Sequence, residues 1–258
     1  MQDDLLGIKD TSIEGDLSQK VDIMFRAGIA RLEYSILHHY REQELWSTRS
    51  RRQTQKLLAS NGISINSIFM SLMNKPDFNF LSKDKGIYKK IKTIIIETID
   101  ICREFETKVI VMPFFGNDLF SSHGTRLFIE RINDICEIAK QGEVEILIEN
   151  YLSARINKNL IKKVPSNNLK ICFDTGNCFG LTGNLLEEYC CVKENIGEIH
   201  LKDFPVDSNV GDGFIDFKNF ITKAHNNRAR IPIIIEKTLG KYKSKQALAE
   251  VKSFIHEM

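Results

Sequence analysis

The stretch "EILIENYLSARINKNLIKKVPSNNLKICFDTGN" (145–177) contains one complete strand–helix–strand unit. A short apolar run, "EILIEN" (145–150), is followed by a helical pattern near 153–164 and by a second apolar run, "LKICFD" (169–174). Two short apolar runs separated by an amphipathic segment predict parallel strands that are joined by a crossover helix. Each run closes near a carboxylate, which makes Glu149 and Asp174 the first candidates for chemistry.

The same alternation extends in both directions from this unit. Six further strands are predicted, at "LLGI" (5–8), "ARLEYS" (30–35), "ISINSIFM" (63–70), "KVIVMPF" (108–114), "EIHLKD" (198–203) and "IPIIIE" (231–236). Helical patterns lie near 18–27, 47–60, 83–106, 122–141, 183–195, 216–227 and 243–257. Eight strand–helix units predict an α/β protein with a (β/α)₈ TIM barrel, formed as a single domain by residues 1–258. The alternative is an open doubly wound sheet, which the absence of a GxGxxG turn disfavours.

Composition and charge exclude several classes of protein. The 258 residues are 42% hydrophobic and 27% charged, as in an ordinary globular protein, and the formal net charge is only +2. The small charge argues against a nucleic-acid partner, and no apolar run is long enough for a membrane span. The N-terminus "MQDDLLGIKD" lacks the apolar core of a signal peptide, and the six cysteines form no CxxC pair. We therefore expect a cytoplasmic protein with reduced thiols.

Four successive predicted strands end in a side chain that can bind a metal ion. These side chains are Glu149, Asp174, His200 and Glu236. Because the carboxyl ends of barrel strands meet at one face, we expect the four groups to lie close together. Three carboxylates in one place repel one another, and a divalent cation would relieve that repulsion. A set of oxygen ligands with one imidazole suits Mn²⁺, Mg²⁺ or Co²⁺ better than a structural zinc site, and Zn²⁺ is left open.

The motif "IIIE" occurs twice, and the two copies predict different roles. In "KTIIIETIDICREF" (92–105) the apolar residues recur at helical spacing, so Glu97 is predicted to lie on the solvated face of a helix. In "IPIIIEKTLG" (231–240) the apolar run is a strand that closes at Glu236. Only the second copy is expected to contribute to a site.

The series "ILIEN…CFDTGN…IHLKD…GDGFIDF…IIIEK" resembles the xylose isomerase-like barrel superfamily, and specifically its sugar phosphate isomerase and epimerase group. The resemblance covers nearly the whole chain, from about residue 5 to residue 257. It implies that Glu149, Asp174, His200 and Glu236 hold one divalent metal ion. In the ketose 3-epimerases of the family, the two glutamate ligands also move the substrate proton. Glu149 and Glu236 are therefore the predicted catalytic residues, acting through a metal-stabilised enediolate.

Three further polar residues are predicted to bind substrate. Glu33 closes the second strand and matches a family position near the substrate, with a structural ion pair as the alternative. Lys202 shares a strand face with His200 and is expected to meet a hydroxyl or phosphate group. Asn177 is expected either to orient Asp174 or to contact substrate. The segment "VGDGFID" (210–216) is predicted to be a glycine turn that approaches ligand, with a plain loop turn as the alternative.

The function that best fits these residues is isomerisation or epimerisation of a small keto-sugar or sugar phosphate. The enzymatic alternative is dehydration of a keto-cyclitol or keto-acid, because "FPVDSN" (204–209) lacks the Arg that many ketose epimerases carry there. The related apurinic-site endonucleases need extra histidines, and Asn177 stands where one of them is expected. A barrel without catalysis is the remaining alternative. The sequence leaves open the sugar, its phosphorylation, and whether the protein forms a homo-oligomer.

Overall fold

A computed structural model describes residues 5–115, 121–225, 231–237, 241–242 and 245–256. Eight parallel strands pair in chain order, and the last pairs with the first to close a barrel. The strands are β1 (Leu6–Lys9), β2 (Arg31–Ser35), β3 (Ser64–Phe69), β4 (Val109–Phe114), β5 (Glu145–Asn150), β6 (Leu169–Asp174), β7 (Ile196–Leu201) and β8 (Ile233–Ile235). The helices in these ranges are α1 (Leu17–Ala27), α2 (Thr48–Ser60), α3 (Lys85–Glu104), α4 (Ser122–Gln141), α5 (Ala154–Lys162), α6 (Thr175–Thr182), α7 (Leu185–Val192), α8 (Phe217–His225) and α9 (Lys245–His256).

The helices begin and end where local chemistry allows. Asp16 Oδ1 accepts a hydrogen bond from the amide of Gln19 at the start of α1, and the Asp16 amide donates one to Gln19 Oε1. Gly28 ends the same helix with a φ of 67°, a left-handed conformation that glycine adopts without strain. The apolar stripes of the helices pack on the outside of the barrel in one large buried cluster. A smaller cluster of Phe69, Val111, Leu147 and Cys172 fills part of the barrel interior.

Two irregularities change the register of the strands. Leu32 pairs with Ile65, but the next residue, Glu33, pairs with Ser67, which leaves Asn66 as an extra residue in β3. In the same way Gly197 is extra in β7, because Ile171 pairs with Ile196 and Cys172 with Glu198. A bulge re-aims the side chains that follow it, and bulges are enriched near active sites.

The predicted (β/α)₈ barrel is confirmed. All strand bounds agree with the sequence-based prediction within two residues, and β7 begins and ends two residues earlier than predicted. The main difference is α6, which follows β6 directly where a loop was expected. Asp174 caps this helix by accepting a hydrogen bond from the Asn177 amide, at 2.7 Å.

The glycine turn in 210–216 is organised by a single buried carboxylate. Asp203 accepts hydrogen bonds from the amides of Gly211, Gly213 and Ile215, and from that of Phe204. A Cβ atom on Gly213 would lie 2.3 Å from the Asp203 Oδ1 atom, so only glycine fits this position. The turn amides therefore bind Asp203, which agrees with a plain loop turn rather than with the expected approach of this backbone to a ligand. Among the helices of the described ranges, none combines the length and apolar character that a membrane crossing needs.

Candidate metal centre

Four side chains converge at the carboxyl end of the barrel. Each of Glu149, Asp174, His200 and Glu236 offers one ligand atom, and these atoms lie within 4.8 Å of one another. The Nδ1 atom of His200 is 2.8 Å from the Oε2 atom of Glu236 and 3.6 Å from the Oε2 atom of Glu149. The four groups lie here because β5 to β8 are consecutive parallel strands of one barrel and their carboxyl ends lie side by side. The structure thus brings together all four predicted ligands.

The same four residues each present a buried polar atom that makes no hydrogen bond of regular geometry within the described part of the chain, although two of these atoms, Asp174 Oδ2 and Glu236 Oε2, lie within ion-pair distance of a lysine. These atoms are Glu149 Oε2, Asp174 Oδ2, His200 Nδ1 and Glu236 Oε2. Buried polar atoms are normally satisfied, so a converging set of four indicates a ligand. Three carboxylate oxygens and one imidazole nitrogen form a donor set that fits a divalent cation such as Mn²⁺.

Two buried lysines partly neutralise the carboxylates. Lys202 Nζ lies 2.6 Å from Asp174 Oδ2 and 3.8 Å from Glu236 Oε1. Lys9 Nζ lies 3.4 Å from Glu236 Oε2 and 3.5 Å from Glu33 Oε1, and 3.2 Å from the centre of the Phe69 ring. Burial alone lowers the pKa of each lysine, but the surrounding carboxylates outweigh it and raise both pKa values. Both side chains therefore carry a positive charge in the site.

The two predicted catalytic glutamates have different electrostatic surroundings. Burial raises the pKa of Glu149 to about 8; His200 opposes this shift and Glu236 adds to it. Burial also acts to raise the pKa of Glu236, but Lys202 and Lys9 hold it well below its ordinary value. The ion pairs of the described residues link both lysines to Glu236 and neither to Glu149. One carboxyl group is thus favoured in its protonated form and the other in its ionised form.

The predicted substrate contacts occupy three different positions around this set. The side chain of Asn177 donates a hydrogen bond to Glu149 Oε1 at 3.0 Å, and its backbone amide donates one to Asp174 Oδ1. Asn177 therefore orients two of the predicted ligands. Lys202 lies among the carboxylates, as described above. Glu33 is 0% exposed, and its Oε2 atom is 3.1 Å from His200 Nε2. Substrate contact by these three residues stays a prediction.

Sequence reasoning missed three residues of this region. Lys9 was not singled out because the first strand was expected to end at residue 8, one position too early. Glu198 and Asn66 lie inside the barrel, where Asn66 Nδ2 donates a hydrogen bond to Glu198 Oε2. The alternation of β7 carries a signal for Glu198, since residues 198, 200 and 202 share a face. Asn66 had no such signal, because its inward position depends on the bulge in β3.

Glu97, the other copy of the "IIIE" motif, lies far from this set. It belongs to α3, and its Oε2 atom accepts a hydrogen bond from the indole of Trp46 at 3.2 Å. The sequence predicted a solvated position for this side chain, but it is half-buried in the structure. Its helical position is as predicted.

A family model described as the xylose isomerase-like TIM barrel matches residues 22–256. The chain belongs to this family. A sequence comparison with curated proteins gave no match. Membership is consistent with the four strand-end residues, which lie in the matched part of the chain.

Solved structures of low sequence identity share the fold of this family member over nearly its whole length. A D-psicose 3-epimerase with D-tagatose from Clostridium cellulolyticum H10 is 14% identical, with 98% of each chain covered and a TM-score of 0.79. A D-allulose 3-epimerase from Methylomonas sp. in complex with D-allulose is 15% identical, with 98% of this chain and 96% of that chain covered and a TM-score of 0.81. A probable 3-DHS dehydratase involved in petrobactin synthesis from Bacillus anthracis is 15% identical, with 96% and 98% covered and a TM-score of 0.77.

Proposed function

We propose that this protein is a divalent-metal-dependent epimerase or isomerase of a small keto-sugar or sugar phosphate. The observation that carries the proposal is the convergence of three carboxylates and one imidazole, each offering a ligand atom, at the carboxyl end of the barrel. The similarity of the fold to several ketose 3-epimerases supports it. A barrel that had lost catalysis would not be expected to keep three buried carboxylates in one place, because each is costly to bury.

Glu149, Asp174, His200 and Glu236 would hold the metal ion. A divalent cation in this position would act as a Lewis acid that stabilises negative charge on a substrate carbonyl oxygen. Mn²⁺, Mg²⁺ and Co²⁺ all suit the donor set, and the identity of the ion is part of what an experiment must establish.

The two glutamates are proposed to move the proton that is bound to carbon. Glu236 is flanked by Lys9 and Lys202 and is kept ionised, which suits a group that removes a proton. Burial raises the pKa of Glu149 in the metal-free protein, and a bound cation would ionise it, so Glu149 would receive or return the proton as a carboxylate. Strands β5 and β8 lie three positions apart in an eight-stranded barrel, so the two carboxyl groups approach a bound sugar from different sides. Transfer between two sides inverts a carbon centre, whereas transfer by one group between adjacent carbons isomerises the sugar.

Asn177 and Lys202 are proposed to contact the substrate. Each already binds a carboxylate at the site, so each can exchange or share that partner with a sugar hydroxyl. Lys202 also offers the positive charge that a phosphorylated sugar would need. Glu33 is the most buried of the three predicted contacts.

Solvent-deuterium incorporation tests this proposal. The protein is incubated in D₂O with Mn²⁺ and a panel of ketoses and ketose phosphates, and the sugars are analysed by mass spectrometry and NMR. Proton abstraction next to the carbonyl predicts one deuterium at the carbon that is inverted or isomerised. A complete absence of exchange across the panel, in protein that binds Mn²⁺, would count against the proposal.

Dehydration is the second candidate, and one feature of the chain favours it. Residues 204–209 contain no Arg, which many ketose epimerases of the family carry in this region. The fold similarity to a probable 3-DHS dehydratase is consistent with this alternative. The same assay, with keto-cyclitols and keto-acids added to the panel, separates the two candidates. A dehydratase forms a product that has lost one water, whereas an epimerase keeps the mass of its substrate apart from the deuterium.

A further inference from the structure

A chain of hydrogen bonds runs through the barrel beneath the proposed metal site. Arg31 Nη1 donates to Asn66 Oδ1 at 2.8 Å, and Asn66 Nδ2 donates to Glu198 Oε2. The other oxygen of Glu198 lies 3.3 Å from His200 Nε2. Barrel interiors are usually filled by branched apolar side chains, so a polar column at this position calls for a function.

Arg31 fixes the order of donors and acceptors along this series of hydrogen bonds. A guanidinium group has only donors, so the amide of Asn66 must turn its oxygen toward Arg31 and its NH₂ group toward Glu198. Glu198 accepts that bond through Oε2, and in its ionised form, above the pKa of about 7 to which burial raises it, the carboxylate is an acceptor at both oxygens. Its second oxygen therefore faces the Nε2 atom of His200 as an acceptor, which favours a proton on Nε2.

We propose that Arg31, Asn66 and Glu198 form a relay that keeps the Nε2 atom of His200 protonated and leaves Nδ1 as the metal-binding atom. Glu198 is thus a positioning residue, which acts through His200 and touches neither metal nor substrate. The proposal rests on the proposed function in one respect, namely that His200 binds a metal ion. Outer carboxylate partners of metal-binding histidines commonly set the tautomer and raise metal affinity by about 10- to 100-fold.

The local backbone supports a dedicated role for Glu198. The extra residues in β3 and β7 are Asn66 and Gly197, which are the relay amide and the immediate neighbour of Glu198. A Cβ atom at Gly197 would lie 3.0 Å from the side chain of Leu147, so the bulge packs tightly against the barrel core. Both bulges thus direct relay side chains inward.

Glu33 also faces Nε2, at 3.1 Å, but it is less suited to test the relay. Its other oxygen pairs with Lys9, and it is itself a predicted substrate contact. Glu198 is 0% exposed and lies on the Nε2 side of His200, away from the four converging ligand atoms. Substitution of Glu198 therefore changes the relay without removing a group from the proposed metal or substrate site.

The decisive variant is Glu198→Gln, which preserves the shape of the side chain but replaces one acceptor oxygen with a donor NH₂ group. The new amide must turn its oxygen toward the Asn66 NH₂ group, which leaves its own NH₂ group facing Nε2. That arrangement sets a donor against the proton on Nε2, although Glu33 Oε2 still accepts from it, and so weakens the preference for the tautomer whose Nδ1 can bind metal. We expect the Mn²⁺ dissociation constant, measured by isothermal titration calorimetry, to rise by about 10- to 100-fold.

The double variant Asn66→Asp with Glu198→Gln restores the order of donors and acceptors. Asp at 66 accepts from Arg31 and from the amide of Gln at 198, whose oxygen then faces Nε2 again. We expect Mn²⁺ affinity to recover most of the loss, although two residues have been changed instead of one. A role limited to packing would predict no such recovery. Asn66→Asp alone, which sets two carboxylates against each other, should not improve binding.

The matched control is Glu145→Gln, a glutamate of β5 that pairs with Lys170 at 2.6 Å outside the site. It should bind Mn²⁺ like the wild type. Nitrogen-15 NMR of histidine-labelled, Zn²⁺-loaded protein is the second measurement, and it shows which ring nitrogen of His200 carries the proton. The variant His200→Gln identifies the signal, because that signal disappears. Should Glu198→Gln fold poorly, Glu198→Met removes the acceptor at similar volume and should lower affinity in the same way.

Two outcomes separate the relay from the proposed function. Wild-type Mn²⁺ affinity in a folded Glu198→Gln variant, or a double variant no better than the single one, would overturn the relay and leave the proposed function standing. Weakened and restored Mn²⁺ binding in a protein that exchanges no sugar proton would support the relay and overturn the proposed function.

Discussion

His200 lies between two sets of carboxylates, and each ring nitrogen faces one of them. Nδ1 faces Glu149 and Glu236, while Nε2 faces Glu33 and Glu198. Burial alone would lower the pKa of His200, but the neighbouring acidic groups, Glu33 among them, raise it well above its ordinary value. A single imidazole thus connects the proposed catalytic groups with the interior of the barrel.

Substitution of either predicted catalytic glutamate tests the proposed chemistry at this scale. Glu149→Gln and Glu236→Gln each remove one proton-transferring group and one metal ligand while they keep the size of the side chain. We expect turnover of the substrate found by deuterium exchange to fall by at least about 10²- to 10⁴-fold in each variant. The measurement is the initial rate at saturating Mn²⁺.

Glu97→Gln is the control for both variants. Its amide oxygen can still accept the hydrogen bond from Trp46, so stability and turnover should match the wild type. Full activity in Glu236→Gln would contradict the mechanism. Equal losses in all three variants would indicate a general effect on folding instead.

At the scale of elements, the loop after β7 depends on Asp203. Its Oδ2 atom accepts from the amides of Gly211 and Gly213, at 2.9 and 3.0 Å. In Asp203→Asn an NH₂ group takes the place of one acceptor, and we expect the free energy of unfolding to fall by about 2 kcal/mol, since hydrogen bonds to charged groups are worth about 1.5–3 kcal/mol. Urea denaturation measures the loss, and limited proteolysis should cut the 204–214 segment sooner.

Asp212→Asn provides the control in the same loop. Asp212 is exposed and accepts only a surface hydrogen bond from Asn209 among the bonds of the described residues. Its substitution should change the free energy of unfolding by no more than about 0.5 kcal/mol. If the two variants were equally stable, Asp203 would not organise the loop.

The strands could be predicted from the sequence because each is a short apolar run with a polar boundary, as "IPIIIE" (231–236) illustrates. Helix α6 could not, because "TGNCFGLT" (175–182) carries two glycines and no apolar stripe. It forms through the local Asp174 cap and through packing against β7, and the second of these is a tertiary effect. The four strand-end side chains were recognisable for the same reason as the strands. Asn66 was not, because a bulge is a property of two paired strands.

At the scale of the whole molecule, buried acids make stability depend on pH. The pKa of Glu149 is raised to about 8 and that of Glu198 to about 7, in both cases mainly by burial. Between about pH 4.5 and 8 the folded protein thus holds protons that the unfolded chain has released. The raised pKa of His200 acts in the same direction above its ordinary value. Stability of the metal-free protein should therefore fall as pH rises.

The slope is expected to be about 1.4 kcal/mol per pH unit for each proton in excess. Urea denaturation in EDTA at about pH 5, 6, 7 and 8 measures it. The free energy of unfolding should decline across this series. A rise across the same range would mean that the carboxylates are ionised in the folded, metal-free protein.

Metal binding should reverse this trend. Because ligands must release their protons before they bind a cation, Mn²⁺ should raise the melting temperature more at about pH 8 than at about pH 5.5. Calorimetric melting with Mn²⁺ or EDTA at each pH measures the difference. The variant Glu149→Gln should lose most of the Mn²⁺ effect, and a wild-type effect that is the same at both pH values would argue against carboxylate ligands.

The position of the metal ion itself tests the central claim most directly. Anomalous diffraction from a crystal grown with Mn²⁺ locates the ion independently of any assay. We predict one strong peak within bonding distance of Glu149, Asp174, Glu236 and the Nδ1 atom of His200. A peak on the Nε2 side, between Glu33 and Glu198, or no peak among the barrel carboxylates, would contradict the assignment of the site.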